Sequence, residues 1–180
     1  MTCAIPQPKK KKTRKDRRIE ILQDALARLR YRKVSDSYGY VVTYYLNNIP
    51  DDVQLQSEVK NIEKNCTVCA LGGLFLSAID KFNHLKKNEC DIDSGVFCYH
   101  RTPNIKRDTI DTTLSKYFSE RQLYMMEVAF EISSVSDSYK CLGEDLENVC
   151  IKFGKRYYNP KNRLRAILKN ALANDGIFKV

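Results

Sequence analysis

The amino-acid sequence predicts a mainly α protein: a single helical domain of five or six helices with one or two short strands, preceded by a basic N-terminal tail. Apolar residues recur at three- and four-residue steps in several segments, as on the buried face of an amphipathic helix. Residues typical of helix starts precede some of these segments. Hydrophobic residues make up 43% of the 180 residues and glycines number seven, which indicates a globular domain and excludes collagen-like sequence. We expect residues 1–15 to form the flexible tail and residues 16–180 the domain.

The N-terminal half is expected to hold three helices. They are predicted from about Asp16, from Asp51-Asp52 and over residues 66–85, the last being the most apolar. The first two have apolar faces made of Ile19, Leu22, Ala25, Leu26 and Leu29, and of Val53, Leu55, Val59 and Ile62. Gly72-Gly73 lies inside the third, where each glycine costs about 1 kcal/mol relative to alanine. We therefore expect a close approach of another backbone or a kink at this pair.

Residues 35–48 give the clearest strand prediction, because β-branched and aromatic residues are concentrated there and Asn47 to Pro50 provides an exit. A helix that presents tyrosines is the alternative. Residues 86–109 are predicted to be loop-like, with a second short strand at Val96–His100.

The C-terminal half is expected to hold the remaining helices. Ser119 begins a capping box in which the Gln122 side chain reaches back to the cap. Asn159 and Pro160 start the last helix, and Gly176 lies just past its end. The three apolar faces are Leu123, Met126, Ala129 and Phe130; Leu142, Leu146, Val149, Cys150 and Phe153; and Leu164, Ile167, Leu168, Ala171 and Leu172.

Residues 9–18 carry most of the net positive charge. They include eight basic residues and one acid, Asp16, for a net charge of +7 out of +9 for the chain. Such a run attracts polyanions, because each phosphate that it neutralises releases a condensed counterion. We predict nucleic-acid binding by Lys9, Lys10, Lys11, Lys12, Arg14, Lys15, Arg17 and Arg18. A solvated tail and a nuclear-import-like address at Pro8–Lys12 are the alternatives.

Residues 155–165 form a second basic segment, with five cations, two tyrosines and no acid at a junction between helices. Arginine grips phosphate bidentately, and an aromatic face stacks a base. We predict a phosphate or nucleotide site made of Arg156, Tyr157, Tyr158, Lys161, Arg163 and Arg165. A solvated junction whose tyrosines pack on the core is the alternative.

The seven cysteines do not suggest a disulfide framework, because their number is odd, their spacing is wide and no signal peptide is visible. We expect a reduced protein in the cytoplasm. Cys66 and Cys69 have the spacing of a zinc pair, which Cys90 and Cys98 would complete, with His100 as a spare ligand. A redox dithiol at Cys66 and Cys69 and small buried core residues are the alternatives.

Familiar catalytic patterns are missing from the sequence. G-x-S-x-G, H-E-x-x-H and the phosphate-binding G-x-x-x-x-G-K do not occur. The longest apolar stretch, Cys66–Ile79, is shorter than the roughly 20 residues of a membrane span. We therefore expect no cofactor, no membrane association and no enzymatic activity.

Three segments together resemble small uncharacterised proteins encoded by tailed bacteriophages. They are Asn65–Ser77, which contains CTVCALGGLFLS; Phe118–Glu131, FSERQLYMMEVAFE; and Arg163–Phe178, RLRAILKNALANDGIF. The resemblance covers residues 60–178 and leaves out the basic tail. It implies no site residue, because such proteins have no settled activity. It implies an accessory viral protein in an infected bacterial cell, where host takeover and counter-defence are common tasks.

These observations favour a non-enzymatic binding protein whose partner is anionic, either nucleic acid or a nucleotide signal. A structural or interaction protein, such as a virion component or an inhibitor of a host enzyme, is the second hypothesis, and it makes a host protein the partner. A zinc or redox protein using Cys66 and Cys69 is the third. The sequence does not predict an oligomeric state.

Overall fold

The computed structural model describes residues 11–36, 40–82, 84–93, 102–133 and 143–180. Over these ranges the chain is mainly α, with seven α-helices and one sheet of five two-residue strands. The predicted fold class is therefore confirmed. The described residues contain more helices than the five or six predicted, and more strands than the one or two predicted.

The helices are α1 (Arg14–Arg28), α2 (Leu55–Asn65), α3 (Ala70–Phe82), α4 (Arg107–Leu114), α5 (Glu120–Glu131), α6 (Glu144–Lys155) and α7 (Pro160–Ala173). The strands are β1 (Lys33–Val34), β2 (Val41–Val42), β3 (Thr67–Val68), β4 (Ile92–Asp93) and β5 (Asn104–Ile105). Short 3-10 segments cover Tyr44–Asn48 and Lys87–Glu89. The strand order is β1-β3-β2-β5-β4, parallel between β1 and β3 and antiparallel elsewhere.

Helix α3 forms the centre of the core. Every residue from Ala70 to Ile79 is buried, and the helix packs against α1, α2, α4 and α5. A Cβ on Gly72 would lie 1.6 Å from the backbone oxygen of Tyr40, just before β2. The close backbone approach expected at the glycine pair is thus present at Gly72. A Cβ on Gly73 would meet no atom nearer than 3.5 Å.

A buried ion-pair network joins α1, α2 and α3. Arg32, which is 2% exposed, donates to the Glu63 carboxylate, to the Gly73 carbonyl oxygen at 2.7 Å and to the Ser77 hydroxyl at 3.0 Å. Arg28 pairs with Glu63 and Asp80. Buried charges are tolerated only when paired and hydrogen-bonded, so this network fixes how the three helices meet.

Helices α1 and α7 pack antiparallel. Near the start of α1, Arg18 Nη2 donates to the Asp175 carbonyl oxygen, just beyond α7, at 3.2 Å. At the opposite end, Lys161 Nζ in the first turn of α7 donates to the Arg30 carbonyl oxygen at 3.4 Å. The end of α1 and the start of α7 therefore share one end of the molecule.

The predicted cap of α7 is confirmed, because the Asn159 side chain accepts from the Asn162 amide at 3.1 Å. Ser119 caps α5 in the same way, accepting from the Gln122 amide at 3.3 Å. The other half of the predicted capping box is wrong. The Gln122 side chain instead donates to Phe178 O at 3.2 Å and accepts from Phe178 N at 2.6 Å, which ties the C-terminal segment to α5.

Several local predictions differ from the structure. The loop predicted for residues 86–109 contains β4, β5 and the start of α4, and part of the predicted strand at 35–48 is 3-10 helix. The predicted strand Val96–His100 lies outside the described residues. Over the described part of the chain, no helix combines the length and apolar character needed to cross a membrane.

Candidate functional site: a basic groove on α7

A groove of about 560 Å³ lies beside the junction of α6 and α7. We call it the basic groove; its lining residues are Phe153, Tyr157, Asn162, Arg165, Ala166, Lys169 and Asn170. Two lining residues are cations, two are carboxamides and two are aromatic, and none is a carboxylate. The groove includes Tyr157 and Arg165 of the predicted phosphate site.

The helical period explains why α7 presents these side chains. Positions 162, 165, 166, 169 and 170 follow three- and four-residue steps and lie along one face of the helix. The residues at 163, 164, 167, 168 and 171 are buried. One face of α7 thus contacts the core, and the other carries the polar wall of the groove.

The end of α6 supplies the aromatic wall. A Cβ on Gly154 would lie 1.9 Å from the Ala129 carbonyl oxygen, so α6 approaches α5 closely at this glycine. The Phe153 ring packs edge-on against Phe178, with centroids 5.1 Å apart, and lies 5.8 Å from the Tyr157 ring. Packing on both sides fixes the Phe153 ring, so the aromatic wall is preformed.

Positive charge dominates the surroundings of the groove. Lys152, Lys155 and Arg156 are exposed at the end of α6, and the Arg156 guanidinium lies 5.8 Å from the Phe153 ring centroid. Within the described residues, no carboxylate forms an ion pair with these three cations or with Arg165 and Lys169. In that same part of the chain Arg165 makes one hydrogen bond, to Asn162 Oδ1 at 2.5 Å. Most of its five N–H donors therefore remain for a ligand.

Arg163 has a structural position, which corrects its predicted role as a phosphate ligand. It is 2% exposed and donates to the carbonyl oxygens of Phe130, Tyr157 and Tyr158, and it pairs with Asp36 at 3.1 Å. These contacts occupy its donors and fix the backbone between α6 and α7. Arg163 therefore stabilises the backbone beside the groove from within the core, and it is too buried to contact a ligand.

The other predicted residues of this segment lie at the surface. Tyr158 is 98% exposed, and Arg156 is exposed. Lys161 is half-buried against the end of α1 through its bond to Arg30. The predicted alternative, in which both tyrosines pack on the core, does not describe Tyr158.

The N-terminal basic segment is largely engaged in docking α1, which begins within the predicted tail. Thr13 and Asp16 form a reciprocal capping box at its start. Arg14 donates to the carbonyl oxygens of Ser115, Tyr117 and Phe118 around the end of α4. Lys12 pairs with Glu20, Lys15 with Asp175, and Arg17 lies over the Phe82 ring. Lys11 is exposed, and Lys9 and Lys10 lie outside the described residues.

The cysteines of the proposed zinc site are buried. Burial raises the pKa of Cys66 to about 11 and that of Cys90 to about 12, and it raises the pKa of Cys69 as well. Burial therefore disfavours the thiolate form, which a redox nucleophile or a metal ligand uses. No group of three or more His, Cys, Asp or Glu among the described residues is placed to hold a metal ion. Cys98 and His100 lie outside those residues.

A second cavity, of about 360 Å³, lies between α4 and α5 and has the opposite character. Its lining includes Asp108, Asp111 and Glu120, which repel an anion. Arg107, also in the lining, pairs with Asp111 and with the buried Glu127. Burial raises the pKa of Glu127, and Arg107 and the Tyr40 hydroxyl partly offset that effect. Arg107, the cation in this lining, is therefore committed to carboxylates of the chain itself.

Sequence reasoning missed Phe153, Asn162, Lys169 and Asn170 as parts of the groove. A signal for three of them was present, because Asn162, Lys169 and Asn170 lie three or four residues from Arg165 or Ala166, away from the apolar stripe. The role of Phe153 depends on how α6 packs against the C-terminal segment, which is not local in sequence.

Comparison with protein-family models, with curated proteins and with solved structures finds no match to this chain. The function of the groove is therefore inferred from its geometry and charge.

Proposed function

We propose that this chain is a non-enzymatic binding protein whose partner carries phosphate, either as nucleic acid or as a nucleotide. The observation that carries the proposal is the basic groove, in which Arg165 and Lys169 stand beside two aromatic rings without a carboxylate in the lining. An anion entering it meets cations and carboxamide donors and displaces no internal ion pair. The phosphate supplies the charge, and the rings suit the apolar face of a base.

The remaining basic residues extend the attraction beyond the groove. Lys152, Lys155 and Arg156 raise the positive potential at the end of α6. Lys9, Lys10 and Lys11 keep their proposed role as long-range contacts to a polyanion. Such contacts act mainly on the association rate and are weakened by salt.

The proposal is tested by removing the two groove cations together. Arg165→Gln with Lys169→Gln is expected to weaken binding of a labelled 20-nucleotide mixed-sequence oligonucleotide, measured by fluorescence anisotropy between 50 and 200 mM salt. Each lost phosphate contact reduces the slope of log K against log salt by roughly 0.7 to 0.9. The slope should therefore fall by roughly 1.4 to 1.8.

The matched control replaces two exposed lysines of α2, Lys60→Gln with Lys64→Gln, which changes the net charge equally. This variant should bind nearly as the wild type does. Equal binding by the groove and control variants would show that only net charge matters, and the groove proposal would fail.

A parallel melting-temperature screen with mono-, di- and cyclic nucleotides tests whether the ligand is a small nucleotide. A ligand at 100 times its Kd stabilises the folded protein by about 2.7 kcal/mol, which raises the melting temperature.

The resemblance to phage-encoded proteins supplies the proposed context. In an infected bacterial cell, a phosphate-binding accessory protein would act in host takeover or counter-defence by holding nucleic acid or a nucleotide signal. Crosslinking in infected cells, followed by recovery of the tagged chain, tests this context. Recovery of crosslinked nucleic acid or nucleotide that is lost in the groove variant would support it, and equal recovery from both would contradict it.

A further inference from the structure

Two tyrosines near the groove are far more exposed than aromatic side chains usually are. Tyr158 is 98% exposed and Tyr31 is 66% exposed. A ring held in water contributes little to folding, since the hydrophobic contribution comes from burial. Both residues lie where α1 ends and α7 begins, close in sequence to Arg30, Arg156 and Lys161.

A cation–ring contact of Tyr31 and the chain position of Tyr158 connect the two tyrosines to one surface strip. Lys161 Nζ donates to the Arg30 carbonyl oxygen at 3.4 Å, and the Arg30 guanidinium lies 4.4 Å from the Tyr31 ring centroid. Tyr158 lies three residues before Lys161 and directly after Tyr157 of the basic groove. From Lys161 to Lys169 the strip runs about 12 Å along α7 at 1.5 Å per residue. We call this surface the α1–α7 strip; its members are Arg30, Tyr31, Tyr158, Lys161, Arg165 and Lys169.

The backbone that carries Tyr158 is held in place. Arg163 donates to the carbonyl oxygens of Tyr157 and Tyr158 from within the core. Asn159 is anchored as the cap of α7 by its bond from the Asn162 amide. Stacking of a ligand on Tyr158 therefore costs little conformational entropy, because the backbone beneath the ring is already ordered.

Resting on the proposed function, we propose that the phosphate-bearing partner is a single-stranded nucleic acid that follows the α1–α7 strip, with bases stacked on Tyr158 and Tyr31. Arg165, Lys169 and Lys161 contact the phosphates, and Arg30 adds a planar cation beside the Tyr31 ring. A duplex keeps its base faces covered and would gain only the phosphate contacts. Single strands offer both, because every unstacked base has a free aromatic face.

The test compares single strands with a duplex on the same protein. Labelled 12-nucleotide oligo-dT and oligo-rU, and a 12-base-pair duplex of mixed sequence, are titrated by fluorescence anisotropy at one fixed salt concentration. We expect at least one single strand to bind roughly tenfold or more tightly than the duplex. The DNA and RNA arms identify the preferred sugar, and tight binding of either supports the proposal.

The tyrosines are tested by Tyr158→Ala and Tyr31→Ala. Stacking is worth about 1 to 3 kcal/mol per base, so each variant should weaken single-strand binding by roughly 5- to 150-fold and leave duplex binding unchanged. Tyr158→Phe should bind as the wild type does, because the ring is kept. Tyr44→Ala is the matched control, since Tyr44 is 62% exposed but lies in the 3-10 segment packed on α2.

The outcomes separate this inference from the proposed function. Equal binding of duplex and single strand, with no effect of either tyrosine variant, would overturn the single-strand inference. If the groove variant of Arg165 and Lys169 still weakened binding in that case, the phosphate-binding proposal would stand. Failure of both strand types and of free nucleotides to bind the wild-type chain would overturn both proposals.

Discussion

At the scale of single residues, two arginines two positions apart have different roles. Arg163 is buried and holds three carbonyl oxygens and Asp36, whereas Arg165 lines the basic groove. The composition of residues 155–165 predicts a basic surface but does not distinguish these two. The helical period does not separate them either, because Arg163 lies four residues before Ile167 and Arg165 three residues before Leu168 of the same apolar stripe. The packing of α7 in the folded chain buries Arg163 and leaves Arg165 in the lining of the groove.

Replacing Arg163 should therefore destabilise the fold far more than replacing Arg165. Arg163→Met leaves Asp36 and the three carbonyl oxygens without their donor, and we expect a loss of about 3 kcal/mol in the free energy of unfolding by urea denaturation. Arg165→Gln should change it by less than about 0.5 kcal/mol. A loss below about 1 kcal/mol for Arg163→Met would contradict the structural role assigned to this residue.

At the scale of elements, the long helices follow from the sequence, but the sheet does not. Periodic apolar faces and cap residues identified α5 and α7 because those signals are local. Each strand has only two residues, too few for an alternating pattern. The strands form through distant pairings such as Lys33 with Thr67 and Val42 with Asn104. Helix α4 was missed because two of its four buried positions are occupied by Thr109 and Thr113.

The contact between α3 and β2 predicts opposite outcomes for adjacent glycines. Gly72→Ala places a methyl group where the Tyr40 carbonyl oxygen lies, so α3 and β2 must separate. We expect a loss of about 3 kcal/mol or more in the free energy of unfolding. Gly73→Ala meets only ordinary contacts, and it should be neutral or stabilising by up to about 1 kcal/mol.

Urea denaturation of both glycine variants measures the difference. Because the two substitutions are identical and adjacent in one helix, propensity affects both equally, and any gap between them reports the steric contact. Similar stabilities for the two variants would show that β2 can move away from α3 at little cost.

At the scale of the whole molecule, docking of the N-terminal basic segment could not be predicted. Mutual repulsion of eight cations predicts an extended tail, yet Arg14 and Arg18 bind carbonyl oxygens more than 100 residues away in sequence. Only the folded chain brings those acceptors within reach. Some of the excess basic residues therefore hold α1 against the rest of the fold, and others remain exposed around the basic groove.

The pH dependence of stability should also reflect the folded arrangement. Burial raises the pKa of Glu131 to about 8, Glu127 and Asp36 act in the same direction, and Arg163 partly opposes them. Between pH 4.5 and 8 the folded chain keeps a proton that the unfolded chain has lost, so this residue lowers stability as pH rises. Glu131→Gln should remove that loss, gaining about 1 to 2 kcal/mol over the wild type between pH 5 and 8.

Urea denaturation at pH 5, 6.5 and 8 provides the measurement for Glu131→Gln. The difference between the variant and the wild type should grow steadily across the three values. Parallel pH profiles would show that Glu131 is ionised in the folded chain throughout the range.

The antiparallel packing of α1 on α7 has a consequence for synthesis on the ribosome. Roughly 130 residues separate the end of α1 from the start of α7, and translation at about 5 to 20 residues per second needs roughly 7 to 26 seconds to make them. During that interval α1 can pack against α3 but lacks α7, its other helical neighbour. The side of α1 that α7 covers in the folded chain therefore stays exposed to water until the last helix has been made.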